Sequence, residues 1–434
     1  MNVLFLSDTL SQLNDEEFGI SKLPRNTQKS KCEGDYPLLE HLKITDDTLS
    51  SSDFFKDINF LKDDFTDKYI IFYDVFDGKK SFNNLIKSKR ILDDLKNKKC
   101  YVLFFHTDCV SWQFNSTHEY WLEFEKLVNE QNIDTDRFGF IMYETILKSD
   151  SEMIDKIGID LYSFNNTSKS TYYPDQFAKS SKLDKSTLIN MFQLSRGYYR
   201  QFKYCSHNNN IKDHRVELLL FLIKENLLDS GVTTWFAGNE PIEQGVNKLD
   251  FTKFNSVGRG VIDYSEKYGK EVVDIAQDLI PNSYDYKVDG LQDFLNVLPY
   301  FNSYFNIISE TTWGPSYDFV KPQKIHITEK VWKPVSTFQP FILISTKNNL
   351  NKLREWGFKT FDGFIDESYD ELDTYEERVG VINKEIISMS RKELDDWYWS
   401  MEDILHHNSD NLVRFIDSEY SKMKEVFKVG WSKV

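Results

Sequence analysis

Tyr69-Ile70-Ile71-Phe72-Tyr73, Cys100-Tyr101-Val102-Leu103-Phe104-Phe105 and Phe138-Gly139-Phe140-Ile141-Met142-Tyr143 are three short apolar runs. Between them lie longer amphipathic segments, at about 82–96 and 118–129. Short apolar runs alternating with longer amphipathic ones predict a parallel sheet covered by helices, so this part of the chain is expected to be an α/β domain. Val3 to Leu6 is apolar, has no basic stretch before it, and reads as a first core strand and not as a signal peptide. The polar segment from 10 to about 65, rich in Ser, Asp, Asn and Lys, predicts loops and short helices.

In the other direction, Asp160 to Phe164 reads as a further strand, and the polar stretch 165–185 leads to a domain boundary near residue 190. The alternation then resumes, with strands expected at 201–206, 233–237, 305–309, 341–345 and 358–361 and helices at 213–228, from Thr328, and at 348–356. Gly357 falls where a helix end needs a residue tolerant of the left-handed conformation. From Arg391 onward one or two charged helices are expected, with Trp397, Trp399, Met401, Ile404, Leu405, Phe415 and Ile416 as buried positions. The chain of 434 residues is long enough for two domains. The pattern predicts an α/β fold of two Rossmann-like domains facing a cleft, at 1–190 and 191–390, with helices at 391–434 packing across both.

With 34 Phe and 23 Tyr the chain has ample apolar surface to bury, which excludes a disordered protein. Its net charge of −16 argues against a surface that grips nucleic acid all over, because phosphate binding needs concentrated Lys and Arg. A local basic groove stays open. Lys87, Lys89, Arg90, Lys96, Lys98 and Lys99 are the clearest cluster for one, although such a run reads first as a solvated helix face. Cys32, Cys100, Cys109 and Cys205 show neither CxxC spacing nor accompanying histidines, so no zinc site or disulfide framework is expected. They read as reduced thiols in a cytoplasm. No window approaches the roughly 18 apolar residues of a membrane span.

Three segments of the second half carry the chemistry. In Ile325-His326-Ile327-Thr328-Glu329-Lys330-Val331-Trp332-Lys333-Pro334, Thr328 is a good N-cap, which puts Glu329 and Lys330 in the first turn of a helix. A Lys there opposes the helix dipole, and an anion beside it reverses the sign. Free backbone N–H groups with a Lys make a phosphate site, and a neighbouring Glu can accept hydrogen bonds from ribose hydroxyls. Taken alone, Lys330 is a solvated helix residue. Pro334, however, falls inside the same helix, and a sequence that breaks a local rule can be building a site. In the second segment, a strand ending at Ser206 leads through a polar loop to Asp213-His214-Arg215, with Asp213 a candidate N-cap and Arg215 in the first turn of an apolar helix. Arg215 is either an anion ligand or the partner of a carboxylate such as Asp213. In the third, Phe305-Asn306-Ile307-Ile308-Ser309 ends in Glu310-Thr311-Thr312, polar groups at the carboxyl edge of a parallel sheet, where α/β folds bind ligands. Glu310 by itself reads as a capping carboxylate.

In this order the three segments resemble the donor-binding half of GT-B glycosyltransferases, especially the α-1,3-fucosyltransferase group. That group carries an Arg at a helix start after a strand, a strand reading Phe-x-(Ile/Leu)-x-x-Glu-(Asn/Thr), and (Val/Ile)-Thr-Glu-Lys-(Leu/Val)-Trp followed by a strand with a preceding Pro. The matching residues are Arg215, the stretch 305–311, and Ile327 to Trp332 with Pro340, within about 200–345. The resemblance implies that Arg215 and Lys330 hold a donor diphosphate and Glu329 a ribose, with Glu310, Thr311 and Thr328 completing the donor site. It implies a nucleoside diphosphate sugar as co-substrate and no further cofactor. The inserted Trp313-Gly314-Pro315 and the basic stretch from Lys321 to Lys324 depart from the group, so GDP-fucose is not implied and a UDP-linked sugar is equally allowed. The arrangement also resembles, more weakly, glycosyltransferases encoded by tailed phages, some of which decorate modified DNA bases.

No metal site is expected. The single Asp-x-Asp candidate, Asp134-Thr135-Asp136, precedes a strand and so lies at the wrong edge for a metal-diphosphate site. If the reaction inverts the anomeric centre, a general base should stand on the first domain at the carboxyl end of a strand. The loops from Asp74 to Asp77 and from His106 to Asp108 both qualify, and Asp108 is favoured, with His106 next. Both also read as structural, a cap and the end of a core strand. Trp112 and Gln113 can stack on and hydrogen-bond to an acceptor, or can belong to the core. The expected reaction moves a sugar from a UDP- or GDP-linked donor to a hydroxyl of a glycan or small acceptor. Two alternatives are a phage-type enzyme acting on a hydroxylated or hydroxymethylated DNA base, and a non-catalytic nucleotide-sugar-binding or structural protein.

Overall fold

The computed structural model describes residues 2–7, 59–60, 68–74, 89–106, 117–143, 157–164, 185–208, 211–235, 250–256, 260–279, 297–310, 325 and 327–434. The chain divides into two compact units, residues 1–171 with 416–434, and residues 172–415.

The first unit is built on β1 (Asn2–Ser7), β2 (Asn59–Phe60), β3 (Tyr69–Asp74), β4 (Cys100–His106), β5 (Phe138–Tyr143) and β6 (Asp160–Phe164), with α1 (Lys89–Lys96) and α2 (Thr117–Gln131) between strands. The strands pair in the order β2-β1-β3-β4-β5-β6, all parallel. Strands of such a sheet are covered on both faces and need no polar alternation, which is why Tyr101 to Phe104 are all fully buried. Phe124 of α2 meets Phe104 and Phe138 edge-on, with centroids 5.7 and 5.0 Å away, and so seats the helix on the sheet.

The second unit contains β7 (Phe202–Asn208), β8 (Gly231–Trp235), an antiparallel hairpin of β9 (Phe254–Ser256) and β10 (Gly260–Ile262), β11 (Ser303–Ser309) and β12 (Phe341–Ile344). Its helices are α3 (Lys185–Leu194), α4 (Asp213–Lys224), α5 (Tyr264–Tyr268), α6 (Lys270–Leu279), α7 (Leu298–Phe301), α8 (Glu329–Ser336), α9 (Asn349–Glu355), α10 (Tyr375–Arg391) and α11 (Asp395–Trp399). A last helix, α12 (Glu402–Ser432), gives its residues up to Phe415 to this unit and those from Ile416 to the first. Within the first unit, Arg137 donates to the Lys433 carbonyl and Lys433 Nζ lies 2.5 Å from Asp160 Oδ2, so the chain end is tied to the start of β5 and β6.

The second sheet runs β12-β11-β7-β8, all parallel. From β7 the chain steps through α4 to β8 on one side, and from β11 through α8 to β12 on the other. Right-handed crossovers then place α4 and α8 on opposite faces. The strand order reverses between β7 and β11, which makes their carboxyl ends a topological switch point, the crevice where open α/β sheets take ligands. Both helices begin at that edge.

Four expectations need correction. Residues 358–361 form no strand. After Gly357, at φ 82°, the Phe358 N–H caps α9 on the Leu353 carbonyl, and the two phenylalanines fill aromatic contacts instead, Phe358 on Trp332 at 5.3 Å and Phe361 on Phe341 at 5.1 Å. The helix from Asp213 stops at Lys224, not 228, because Asn226 turns left-handed at φ 55° and releases Leu228–Ser230 into a 3-10 turn. Helix formation in the C-terminal part begins at Tyr375, ahead of Arg391, where Thr374 and Glu377 form a capping box. Of the C-terminal positions expected to be buried, Met401, Leu405, Phe415 and Ile416 are, whereas Trp397, Trp399 and Ile404 are half-buried.

Two consequences are measurable. A Cβ on Gly231 would lie 2.3 to 2.6 Å from ring atoms of the buried Tyr204, whose hydroxyl is held on the Leu227 carbonyl. Gly231→Ala should therefore destabilise the protein by roughly 1–3 kcal/mol, and in a denaturant titration a Tyr204→Leu partner substitution should make the double variant's loss less than additive. The second concerns His207, whose Nδ1 lies 3.2 Å from Thr234 Oγ1 and whose Nε2 lies 3.1 Å from Cys205 Sγ. Burial, reinforced by the charge of Lys333, lowers its pKa from 6.5 to about 4. Between those values the unfolded imidazole binds a proton that the folded one refuses, so stability is full above pH 6.5 and falls as pH drops towards 4. Thermal melts at pH 7.5 and pH 5 should differ less in His207→Gln than in the unsubstituted chain.

Candidate functional site

At the carboxyl end of β11 the backbone of Ser309 and Glu310 is held from both neighbouring helices. From α4, Arg215 donates to the Ser309 carbonyl at 3.1 Å, and His214 Nε2 donates to the Glu310 carbonyl at 2.8 Å. From α8, the Thr328 N–H donates to Glu310 Oε1 at 2.8 Å and the Thr328 hydroxyl to Oε2 at 2.7 Å. Thr328 Oγ1 in turn accepts from the Lys330 N–H at 3.4 Å and from Lys330 Nζ at 3.0 Å, using its one proton and its lone pairs together. Lys330 Nζ lies 3.7 Å from Glu310 Oε2.

The expected residues Arg215, Glu310, Thr328 and Lys330 thus belong to one cluster. Their parts are unequal. Glu310 is fully buried and both its oxygens are taken by Thr328, which makes it the clamp that seats α8 on the strand end. It also supplies the negative charge that a Lys in a helix's first turn calls for. Arg215 is buried at 2% exposure, while the Lys330 side chain retains 23% and stays reachable. Two cations and two helix N-termini gather around one buried carboxylate, an arrangement of the kind that takes an anion.

Asp213 is the first residue of α4 and not its N-cap. The cap is Lys212, which makes no side-chain cap hydrogen bond; its carbonyl accepts from the Arg215 and Val216 N–H groups. Arg215 is held instead by a rigid helix whose residues from His214 to Ile223 are all buried. Glu217 fixes that helix further, accepting from Tyr375 Oη at 2.9 Å and Lys267 Nζ at 2.8 Å. His214 was not among the candidates. Its position beside Arg215 in the first turn was the signal available.

Glu329 is the first residue of α8, and His106 the last of β4 at the carboxyl edge of the first sheet; the side chains of both lie outside the described residues, as do Asp108, Trp112, Gln113 and Thr311 altogether. Asp134 and Asp136 stand before β5, as their order required. Asp134 accepts from the Asp136 N–H at 3.3 Å, and Asp136 pairs with Arg137 at 2.6 Å, a hydrogen bond that lowers its carboxyl pKa. Among the described residues no group of three or more His, Cys, Asp or Glu is placed to hold a metal. In the basic cluster, Arg90 reaches Asp94 at 3.5 Å and Lys98 reaches Asp134 at 3.8 Å, as on a solvated face. Cys100 and Cys205 are buried free thiols. No helix among the described residues is long and apolar enough to cross a membrane.

No family model and no curated protein matches the sequence. Among solved structures the chain is similar to a DNA-modifying β-glucosyltransferase determined in the presence and absence of its substrate uridine diphosphoglucose, at 9% identity and a TM-score of 0.36 over 100% of both chains. It is similar also to the T4 phage BGT in complex with its UDP-glucose substrate, at 12% identity and a TM-score of 0.37 over 99% of each. Likenesses of that degree carry no functional assignment.

Proposed function

We propose that the second unit binds a nucleoside diphosphate sugar at its switch point and that the chain is a GT-B type glycosyltransferase, moving the sugar to an acceptor hydroxyl. The observation that supports this reading is the convergence of Arg215 and Lys330, from the first turns of two different helices, on Ser309 and Glu310 at the end of one strand. A diphosphate is the ligand whose charge such a pair matches, and α4 and α8 each add a helix N-terminus to it.

In the proposed reaction the acceptor oxygen gives its proton to a base and forms a bond to the anomeric carbon. The bond from that carbon to the diphosphate breaks, and its electron pair leaves with the nucleoside diphosphate. Arg215 and Lys330 stabilise the charge that grows on the leaving group, and charges fixed before the reaction are worth several kcal/mol in a dry site. Glu310 is a positioning residue that sets Thr328 and Lys330. Glu329 is the proposed ribose ligand, Thr311 a further donor contact, Asp108 the proposed base with His106 second, and Trp112 and Gln113 the acceptor contacts. The proposed acceptor is a glycan or small molecule carrying a hydroxyl, in keeping with the net charge of −16. The proposed compartment is the cytoplasm.

Thermal melts with UDP, GDP, ADP and dTDP test the donor site. One of them at about 100 times its dissociation constant should add ~2.7 kcal/mol of stability, and Lys330→Ala should remove most of that gain. Stabilisation that survives Lys330→Ala unchanged, or none with any nucleotide, contradicts the assignment. The base is tested separately, by turnover of a UDP- or GDP-linked sugar. Asp108→Asn should lower kcat by about 10²–10⁴-fold while the nucleotide-induced shift stays as it was; a shift lost along with turnover would mean that Asp108 holds the fold or the donor.

A further inference from the structure

Two side chains at the same strand ends belong to neither helix. β7 and β11 pair Tyr204 with Phe305 and Cys205 with Asn306, a register that sets Asn208 beside Ser309 at the last position of each strand. Paired residues of parallel neighbours leave the sheet on the same face. Asn208 is 0% exposed and Ser309 1%.

Asn208 Nδ2 donates to Ser206 Oγ at 3.1 Å, and Ser206 Oγ donates to the Ile307 carbonyl at 2.9 Å. A hydroxyl has one proton, so Ser206 can only accept from Asn208, which fixes the amide with its nitrogen turned inward. That leaves Asn208 Oδ1 without a hydrogen-bond partner among the described residues, and Ser309 Oγ has none among them either. Buried polar atoms of folded proteins are nearly always satisfied, and an exception calls for an explanation. Here two exceptions flank the switch point. Ser309 is also the residue whose carbonyl Arg215 holds, and the next residue is Glu310.

We propose that Asn208 Oδ1 and Ser309 Oγ together receive a sugar hydroxyl of the donor nucleotide. This rests on the donor-site reading above. The chemistry selects the class: an amide oxygen only accepts, so a phosphate oxygen, which also only accepts, leaves it unsatisfied. A hydroxyl that gives its proton to Asn208 and takes one from Ser309 satisfies both. That hydroxyl is either the 2′-hydroxyl of the ribose or one of the transferred sugar.

Calorimetric titration of the full chain distinguishes the two, using UDP, 2′-deoxy-UDP and UDP-glucose, or GDP, 2′-deoxy-GDP and GDP-mannose if guanine is preferred. Ser309→Ala removes a hydroxyl with no partner among the described residues, so its melting temperature should stay within a degree or so of the unsubstituted chain. If the ribose is read, the variant should bind the ribonucleotides about tenfold more weakly and the deoxy form as before. If the transferred sugar is read, only the sugar nucleotide should weaken about tenfold. Asn208→Ala should show the same selective loss with a lower melting temperature, since it also gives up the bond to Ser206. Equal affinities in variant and unsubstituted chain, or an equal loss for all three nucleotides, overturns the inference and leaves the donor site standing. Failure of the unsubstituted chain to bind any nucleotide overturns the donor site, and this inference with it.

Discussion

The second unit depends on a buried carboxylate. Glu310 has no exposed surface, and an ion placed there without partners would cost several kcal/mol. Thr328 answers both oxygens, and Lys330 answers the charge. The same contacts fix where α8 starts, and with it the first-turn N–H groups at the switch point. On the other side of β11, His214 and Arg215 take the two carbonyls at the strand end, so α4 is registered against the same two residues. One dipeptide, Ser309-Glu310, sets the positions of both helix starts.

Behind α8 the attachment is aromatic. Trp332 lies 6.2 Å from Trp356, 5.3 Å from Phe358 and 5.5 Å from Phe415, and is fully buried. Such a ring set contributes several kcal/mol through area alone, enough to keep a short helix seated although Pro334 interrupts its hydrogen bonding. The interruption is mild because α8 ends at Ser336, two residues past the proline. A long helix would have been kinked there.

Much of this was legible in the sequence. β5 and β6 fall where their apolar runs put them, and α8 starts after the Thr328 cap, because a fully buried parallel strand and a capped first turn are both local signals. The three segments singled out for chemistry meet at one strand end. Their linkage was not legible, since the Thr328 to Glu310 bonds join residues 18 apart whose approach is set by the sheet. Phe358 and Phe361 misled for a related reason: a short stretch with apolar ends after a helix suits a strand, but here the two rings join aromatic contacts on Trp332 and Phe341 instead. Residues 375–391 were overlooked although the Thr374 and Glu377 pair marks a helix start, because attention to apolar runs passes over a mostly polar helix.

The Glu217 tether gives the cation at the start of α4 a thermodynamic setting of its own. Tyr375 opens α10 and Lys267 lies on α5, and both hold Glu217, two residues beyond Arg215 on the same helix. The entropy of placing Arg215 is therefore spent when three helices dock, and the anion proposed for that position would have little left to order. By reciprocity, the donor proposed to bind at Arg215 would return part of its free energy to the docking of α10 and α5, and amide protons in both helices, far from it along the chain, would exchange more slowly in its presence.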